Sequence, residues 1–288
     1  MAGGPPDFPA PPAEPPTYEI VGVEHRDGVA VQDLRIAVST GHGRTADAGR
    51  ASGPIEAYRV EPEPSGNSAT NARGPRLLFA HWYDPQAPNG NRTEFLSEAV
   101  DWARERGATA ILPQLTFPWH GDPDGSAADV ARIVAEVSRL RRCLDLMVAA
   151  PGVDATRIAV VGHDFGAMHA AILGTVDRRP VAYVLIAAVP RWGDWFLPFW
   201  QIDEDRIDYL RALRPLDPIE HLGKVAPARL LFQFALRDFY IAPMAGFEFR
   251  RAAGEGAEVK SYDAEHDMGS PEARIERTAF LEEALGPD

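Results

Sequence analysis

One carboxylate stands where a chain would place a nucleophile. Asp164 is the centre of Gly162-His163-Asp164-Phe165-Gly166, which follows the apolar run Arg157-Ile158-Ala159-Val160-Val161 and leads into Ala167-Met168-His169-Ala170-Ala171-Ile172-Leu173. A strand, a turn flanked by glycines two residues either side of its centre, and a helix describe a G-x-S-x-G-type elbow with Asp in place of Ser, which presents its central side chain to a pocket. A Ser there needs a base to remove its proton, whereas an Asp is already an anion at neutral pH. Attack by that anion on a saturated carbon, such as an epoxide or carbon–halogen centre, gives an ordinary ester; attack on an acyl group gives a reactive anhydride. The residue type therefore points to alkyl chemistry before acyl chemistry. The plainer reading of Asp164 is a helix cap, since Asp oxygens accept backbone N–H bonds at helix starts.

An ester on Asp164 would have to be hydrolysed, and two later residues fit that task. Asp238 follows the run Leu230 to Arg237, and His266 follows Val259 to Glu265. His266 would draw a proton from water, and Asp238 would hold the imidazole's tautomer and stabilise the imidazolium. Asp263 and Asp267 are alternative partners for His266. A second set comes from His81-Trp82-Tyr83-Asp84-Pro85, after the strand-like run Arg76–Ala80. The N–H of Trp82 or Tyr83, together with that of Phe165 at the start of the elbow helix, are candidate donors to a developing oxyanion. His81, Trp82 and Tyr83 are also candidate substrate-binding side chains, as is His120 in Phe117-Pro118-Trp119-His120-Gly121. Trp192, Trp195 and Trp200 lie in the aromatic segment Arg191 to Trp200, which could line an apolar pocket above Asp164; it could equally pack the core or form a homodimer surface. Indole N–H groups could cradle a departing halide, and Tyr83, Tyr209 or Tyr240 could protonate an epoxide's alkoxide. His163 and His169 read as structural, and no His/Cys spacing implies a metal.

These groups meet only if the right elements carry them. Residues 1–17 hold seven prolines and read as an extended or disordered arm. Tyr18–Val23, Val29–Val31, Leu34–Val38 and Ile55–Val60 read as antiparallel strands, with Asp27-Gly28 as a turn. After a Pro/Ser/Asn/Gly-rich loop, Glu61 to Gly74, short apolar strands (Arg76–Ala80, Ala108–Leu112, Ile158–Val161, Val181–Val189, Arg229–Leu236, Ala257–Tyr262) alternate with helical stretches (Thr93–Arg106, Ala127–Ala149, Phe165–Val176, Glu204–Leu213, Met244–Ala253, Pro271–Leu285). Continuous apolar strands alternating with helices predict a mostly parallel sheet covered on both faces, an α/β fold. In such a sheet, chemistry gathers at the carboxyl ends of the strands, where Tyr83, Asp164, Asp238 and His266 all fall.

Composition limits what the chain can be. Its 288 residues suit one α/β domain over residues 18–288, with residues 191–215 as a short cap. Lys+Arg 29 against Asp+Glu 42 gives a net charge of −13, which disfavours nucleic-acid or membrane binding through a basic surface. Cys143 is the single cysteine, so no internal disulfide forms, and its setting reads as buried helix packing. There is no apolar stretch of about 20 residues and no signal-peptide pattern. The expectation is a cytoplasmic protein acting on a small molecule. No P-loop or G-x-G-x-x-G follows the early strands, so no cofactor is expected.

The nucleophile–acid–histidine order, the elbow, Arg92-Thr93-Glu94-Phe95-Leu96-Ser97-Glu98-Ala99 and Val153-Asp154-Ala155-Thr156-Arg157-Ile158 together resemble the dienelactone-hydrolase-like branch of the α/β-hydrolase superfamily over residues 18–285. The resemblance implies the α/β-hydrolase fold with little or no cap. It implies that His81-Trp82-Tyr83-Asp84-Pro85 stands in the place of a His-Gly-x-Pro oxyanion loop, here without its Gly. The branch carries Cys or Ser at the elbow, whereas Gly-His-Asp-Phe-Gly-Ala is similar to elbows of epoxide hydrolases and dehalogenases. Three readings follow: hydrolysis of an epoxide or organohalide through an alkyl ester on Asp164, a dienelactone-hydrolase-like esterase or lactonase, and a non-catalytic scaffold that binds a ligand or partner.

Overall fold

The computed structural model describes residues 7–10, 14–38, 53–63, 74–87, 90–150, 153–202 and 204–286. Among the described residues nine strands form one sheet: β1 (Tyr18–Arg26), β2 (Val29–Ile36), β3 (Ile55–Pro62), β4 (Arg76–Ala80), β5 (Thr109–Pro113), β6 (Ile158–His163), β7 (Ala182–Ile186), β8 (Arg229–Ala235) and β9 (Glu258–Tyr262). Their spatial order is β1-β2-β3-β5-β4-β6-β7-β8-β9. The first three pair antiparallel and β3 meets β5 antiparallel, while every pairing from β5 through β4 to β9 is parallel. Asp27 (φ 50°) and Gly28 (φ 80°) make the two-residue turn between β1 and β2 with the left-handed pair of angles that such a hairpin requires.

The helices are α1 (Leu96–Arg106), α2 (Ala127–Val148), α3 (Phe165–Val176), α4 (Trp192–Phe199), α5 (Arg206–Leu213), α6 (Ala245–Ala253) and α7 (Pro271–Leu285). Their ends follow local chemistry. Ser126 accepts the Ala128 N–H at the start of α2 (3.1 Å), Asp205 accepts those of Ile207 and Asp208 at α5, and Gly107 (φ 61°) closes α1. α2 packs against α3, and α1 is tied to α7 by the buried Arg277–Glu98 pair. β4, β5, β6 and β7 are buried at every residue, as strands covered on both faces must be.

The sequence expectation of two separate strands at Val29–Val31 and Leu34–Val38 is corrected. β2 runs unbroken because Gln32 and Asp33 keep backbone partners on both sides, Val23 and Gly22 in β1 and Arg59 and Tyr58 in β3. The strand expected to reach Val189 stops at Ile186, where Ala187 turns to φ 47°. Within 191–215, the aromatic run forms α4 and Glu204–Leu213 shortens to α5. Of the loop expected from Glu61 to Gly74, residues 64–73 lie outside the described residues, as does much of the arm at 1–17; of the arm's described parts, Phe8 packs against the core and the carbonyls of Pro9 and Glu14 accept bonds from Arg141 and Arg142 of α2.

The strand order fixes where chemistry can occur. From β4 the chain crosses through α1 to β5 on one side and then returns through α2 to β6 on the other. The carboxyl ends of β4 and β6 therefore lie side by side at a topological switch point, where connecting loops part and leave a crevice.

Candidate active site

The elbow is the junction of β6 and α3, and close packing dictates its glycines. A Cβ on Gly162 would sit 2.6 Å from Ala167 Cα, and one on Gly166 would sit 2.6 Å from the His81 carbonyl oxygen. Both positions must lack a side chain for α3 to turn back so tightly beside β4. Asp164 between them takes φ 54°, ψ −120°, held by its N–H to Ile186 O (2.8 Å) and its carbonyl accepting Met168 N–H (3.1 Å). Such a conformation costs on the order of 1–3 kcal/mol for a non-glycine residue and persists only where surrounding packing imposes it. Asp164 makes no side-chain cap to α3, so the helix-cap reading does not describe it.

Three titratable side chains from three strand ends converge. His266 Nδ1 lies 2.9 Å from Asp238 Oδ2, and Nε2 faces Asp164 Oδ2 at 3.8 Å. The other oxygen of Asp238 accepts the N–H groups of Tyr240 (2.8 Å) and Ile241 (3.1 Å), which fixes that carboxylate. Asp164 Oδ2 accepts the Tyr83 N–H at 3.0 Å, while Asp164 Oδ1 is buried and makes no hydrogen bond within the protein. Burial pulls the His266 pKa down, but its two carboxylate neighbours more than reverse this and push it up to about 10. Burial pushes Asp164 up, against the pull of His266; for Asp238, burial is outweighed by His266 and the two backbone donors, which hold it low. At neutral pH the proton of the Asp164–His266 pair sits on His266, because Asp238 holds that ring from the far side and Tyr83 N–H favours ionised Asp164.

Each remaining candidate has a definite place. Phe165 opens α3, where its N–H has no intrahelical acceptor, and its ring packs edge-on against that of Tyr83 (5.7 Å). The Trp82 N–H is taken by Glu94 Oε2 (2.6 Å), so of the two loop donors only Tyr83 faces Asp164. His81 does not reach the site: it is buried, its Nδ1–H donates to Trp82 O (2.8 Å), its Nε2 accepts Leu115 N–H (2.9 Å), and burial drives its pKa down to about 3. Trp192 is fully buried, its indole N–H donating to Leu216 O (2.8 Å), and so belongs to the core. Trp195 stacks on Phe165 (5.3 Å) and lies 5.9 Å from the His266 ring, its indole N–H without a partner in the protein. Tyr240 packs edge-on against His266 (4.9 Å) and is half-exposed.

On the other side of Tyr83, its ring meets Trp119 (5.6 Å) and Trp200 (5.9 Å), and the Trp200 indole donates to Asp122 (3.0 Å). Trp119, His120, Gly121 and Asp122 line an open cleft of about 550 Å³ there. Burial, with the charges of Asp122 and Asp164, raises the Tyr83 phenol's pKa, keeping it protonated. Tyr209 is no proton donor to this site, since its hydroxyl donates to buried Asp129 (2.7 Å). Asp263 pairs with Arg237 and Asp267 accepts Gly269 N–H (3.1 Å). Among the described residues no group of three or more His, Cys, Asp or Glu could hold a metal ion, and no helix is long and apolar enough to cross a membrane.

Glu94 was not assigned a role from sequence, and His163 read only as structural. His163 Nδ1 lies 2.6 Å from Glu94 Oε1, and its Nε2–H donates to the His266 carbonyl (2.8 Å). Glu94 comes from the turn before α1, 69 residues from His163, and no spacing in the chain announces the pair.

No protein-family model matches the sequence, and no curated protein does. Solved structures do match its fold. An acetyl xylan esterase from Paenibacillus sp. R4 superposes with TM-score 0.67 at 18% identity, covering 94% of this chain and 90% of that one. A structure assigned to a dienelactone hydrolase of Klebsiella pneumoniae gives TM-score 0.60 at 15% identity over 90% of this chain and 99% of that one. A glucuronoyl esterase from Solibacter usitatus gives 0.64 at 14% over 97% and 88%. At these identities the likeness is one of fold: the chain has the α/β-hydrolase fold, as its resemblance in sequence implied.

Proposed function

We propose that the protein is a hydrolase of a small-molecule ester or lactone, with Asp164 as nucleophile, His266 as acid and then base, and Asp238 as the group that holds His266. The observation that carries this reading is a histidine seated between two carboxylates, whose charges push its pKa up to about 10. A halide leaves without needing a proton, whereas an alkoxide or enolate leaves far more easily when one is delivered. A resting imidazolium beside the nucleophile suits a leaving oxygen. The names borne by the similar structures, acetyl xylan esterase, dienelactone hydrolase and glucuronoyl esterase, favour ester or lactone cleavage over epoxide or halide chemistry.

In the first step Asp164 attacks the acyl carbon. The carbonyl oxygen becomes an oxyanion held by the N–H of Phe165 and by that of Tyr83, which is released from Asp164 Oδ2 as the attacking carboxylate loses its charge, and the departing oxygen takes the proton from His266 Nε2. The resulting anhydride removes the negative charge of Asp164, and with it one of the two charges that keep His266 protonated. His266, now neutral, takes a proton from the attacking water. The anhydride splits, the carboxylic acid departs, and Asp164 is again an anion beside an imidazolium. Because a carboxylate is expelled more readily than an alkoxide, this route selects substrates whose leaving oxygen is stabilised, such as enol or aryl esters and unsaturated lactones.

An epoxide is the second reading, favoured by the bond from Tyr83 N–H to Asp164 Oδ2, which leaves Oδ1 for attack on a saturated carbon. Rates on p-nitrophenyl acetate, an enol lactone, styrene oxide and a chloroalkane separate the two. Turnover of the ester and lactone that is lost in Asp164→Asn is the expected result; turnover of the epoxide alone replaces the first reading with the second, and no turnover of any leaves the scaffold reading.

A further inference from the structure

Outside the converging triad lies a second, largely buried acid–histidine pair, and its hydrogen bonds bear on its charge. The His266 carbonyl can only accept, so His163 Nε2 must carry a proton. The 2.6 Å contact between His163 Nδ1 and Glu94 Oε1 needs another proton between them, while Glu94 Oε2 receives a backbone N–H, that of Trp82, at 2.6 Å. A carboxylic acid donating from Oε1 would meet the same contacts, but the backbone N–H on Oε2 and the negative charge of Asp164 beside the ring favour the ionised form, with both ring protons on His163. His163 is almost fully buried, its ring lies 5.5 Å from the ring of Trp82 and 5.5 Å from that of His266, and the negative charge of Asp164 is also close by.

We propose that Glu94 and His163 form an ion-pair latch that locks the oxyanion loop to the histidine loop. One end of the latch holds Trp82 N–H and so sets the adjoining Tyr83 N–H against Asp164. Its other end holds the backbone of His266 and so sets the ring between Asp164 and Asp238. The two act as positioning residues, with hydrogen bonds to Trp82 N–H and the His266 carbonyl that adjust both loops together. The kinetic part of this inference rests on the hydrolase reading above, whereas the protonation state does not.

Nitrogen-15 NMR of histidine-labelled wild-type protein reads that state without substrate. The expected result is a His163 ring protonated on both nitrogens, with a strongly downfield Nδ1 proton; an unprotonated Nδ1 overturns the ion pair. Glu94→Gln then gives a specific rescue. Its carbonyl can accept Trp82 N–H and its amide can donate to a neutral His163 Nδ1, so all three bonds survive without the extra proton. Glu94→Gln should keep kcat within about fivefold of wild type and show the neutral Nε2–H ring. Glu94→Ala should lose about 10²-fold in kcat with KM little changed, as displaced catalytic groups do. His163→Gln, which can still reach the His266 carbonyl but not Glu94, should show the same loss and serves if Glu94→Ala does not fold. Wild-type kcat in a folded Glu94→Ala or His163→Gln protein overturns the latch. If wild type turns over no ester, lactone or epoxide, the function fails while the NMR result still decides the ion pair.

Discussion

At the scale of single residues, the account turns on the proton that His266 holds between Asp164 and Asp238. Asp238→Asn would offer an amide N–H to Nδ1 and force the wrong tautomer; kcat should drop by about 10⁴-fold with the fold intact, measured on the ester that wild type cleaves. Asp164→Asn should abolish turnover to a comparable or greater extent. The raised His266 pKa also bears on stability. Its ordinary value is 6.5 and its folded value about 10, so the folded protein binds this proton more tightly than the unfolded chain. The stabilisation is fully present below about pH 6.5 and is lost as pH rises through about 10. Wild type should therefore lose more Tm between pH 7 and pH 10 than His266→Gln does, as followed by thermal unfolding monitored by circular dichroism. The candidate residues legible in sequence were those whose strand-end position can be read locally: Asp164, Asp238 and His266 each follow a strand-like run, and the structure brings them together. Glu94 was illegible because its partners, Trp82 and His163, come from two other elements and only the fold makes them neighbours. His81 and Trp192 were misread as pocket residues because burial of a polar ring depends on tertiary bonds, to Leu115 and Leu216, that sequence does not display.

At the scale of elements, the elbow is positioned by the approach of α3 to β4. A methyl at Gly166 would meet the backbone at the end of β4, and backbone cannot rotate away as a side chain does. Gly166→Ala should destabilise the protein by roughly 3 kcal/mol or more, read from urea denaturation, and should reduce expression of soluble protein. The α3 helix and the parallel strands were readable because burial on both faces forces continuous apolar runs, and Phe165–Val176 forms a helix over the span expected. Helix α4 was less readable. Its run of Trp and Phe is compatible with a core, a cap or an interface, and the choice was made by packing: Trp192, Trp195 and Phe196 all lie against the ring of Phe165, the residue that follows Asp164. α4 thus braces the first turn of α3 while Trp195 reaches forward to His266.

At the scale of the whole molecule, one sheet edge gathers groups separated by nearly two hundred residues, from Tyr83 to His266, and the strand order makes that edge the only place where they can meet. The described part of the N-terminal arm belongs to this architecture through Arg142, a buried guanidinium whose Nη1 donates to Glu14 O (2.8 Å). Removing residues 1–16 should lower stability by about 1–2 kcal/mol, because that buried donor loses its shorter bond and keeps only Asp145 Oδ2 (3.3 Å), yet leave kcat unchanged; urea unfolding and ester turnover on the same preparation check both. The central claim is that Asp164 is the nucleophile, and trapping tests it most directly. His266→Gln lacks the base for the second step, and p-nitrophenyl acetate, whose leaving group needs no added proton, bypasses the first. After rapid acid quench, peptide mass mapping should find an acetyl increment on the peptide carrying Asp164, absent when Asp164→Asn is added. Acetyl release by wild type with no increment on that peptide in the His266→Gln protein would contradict the account.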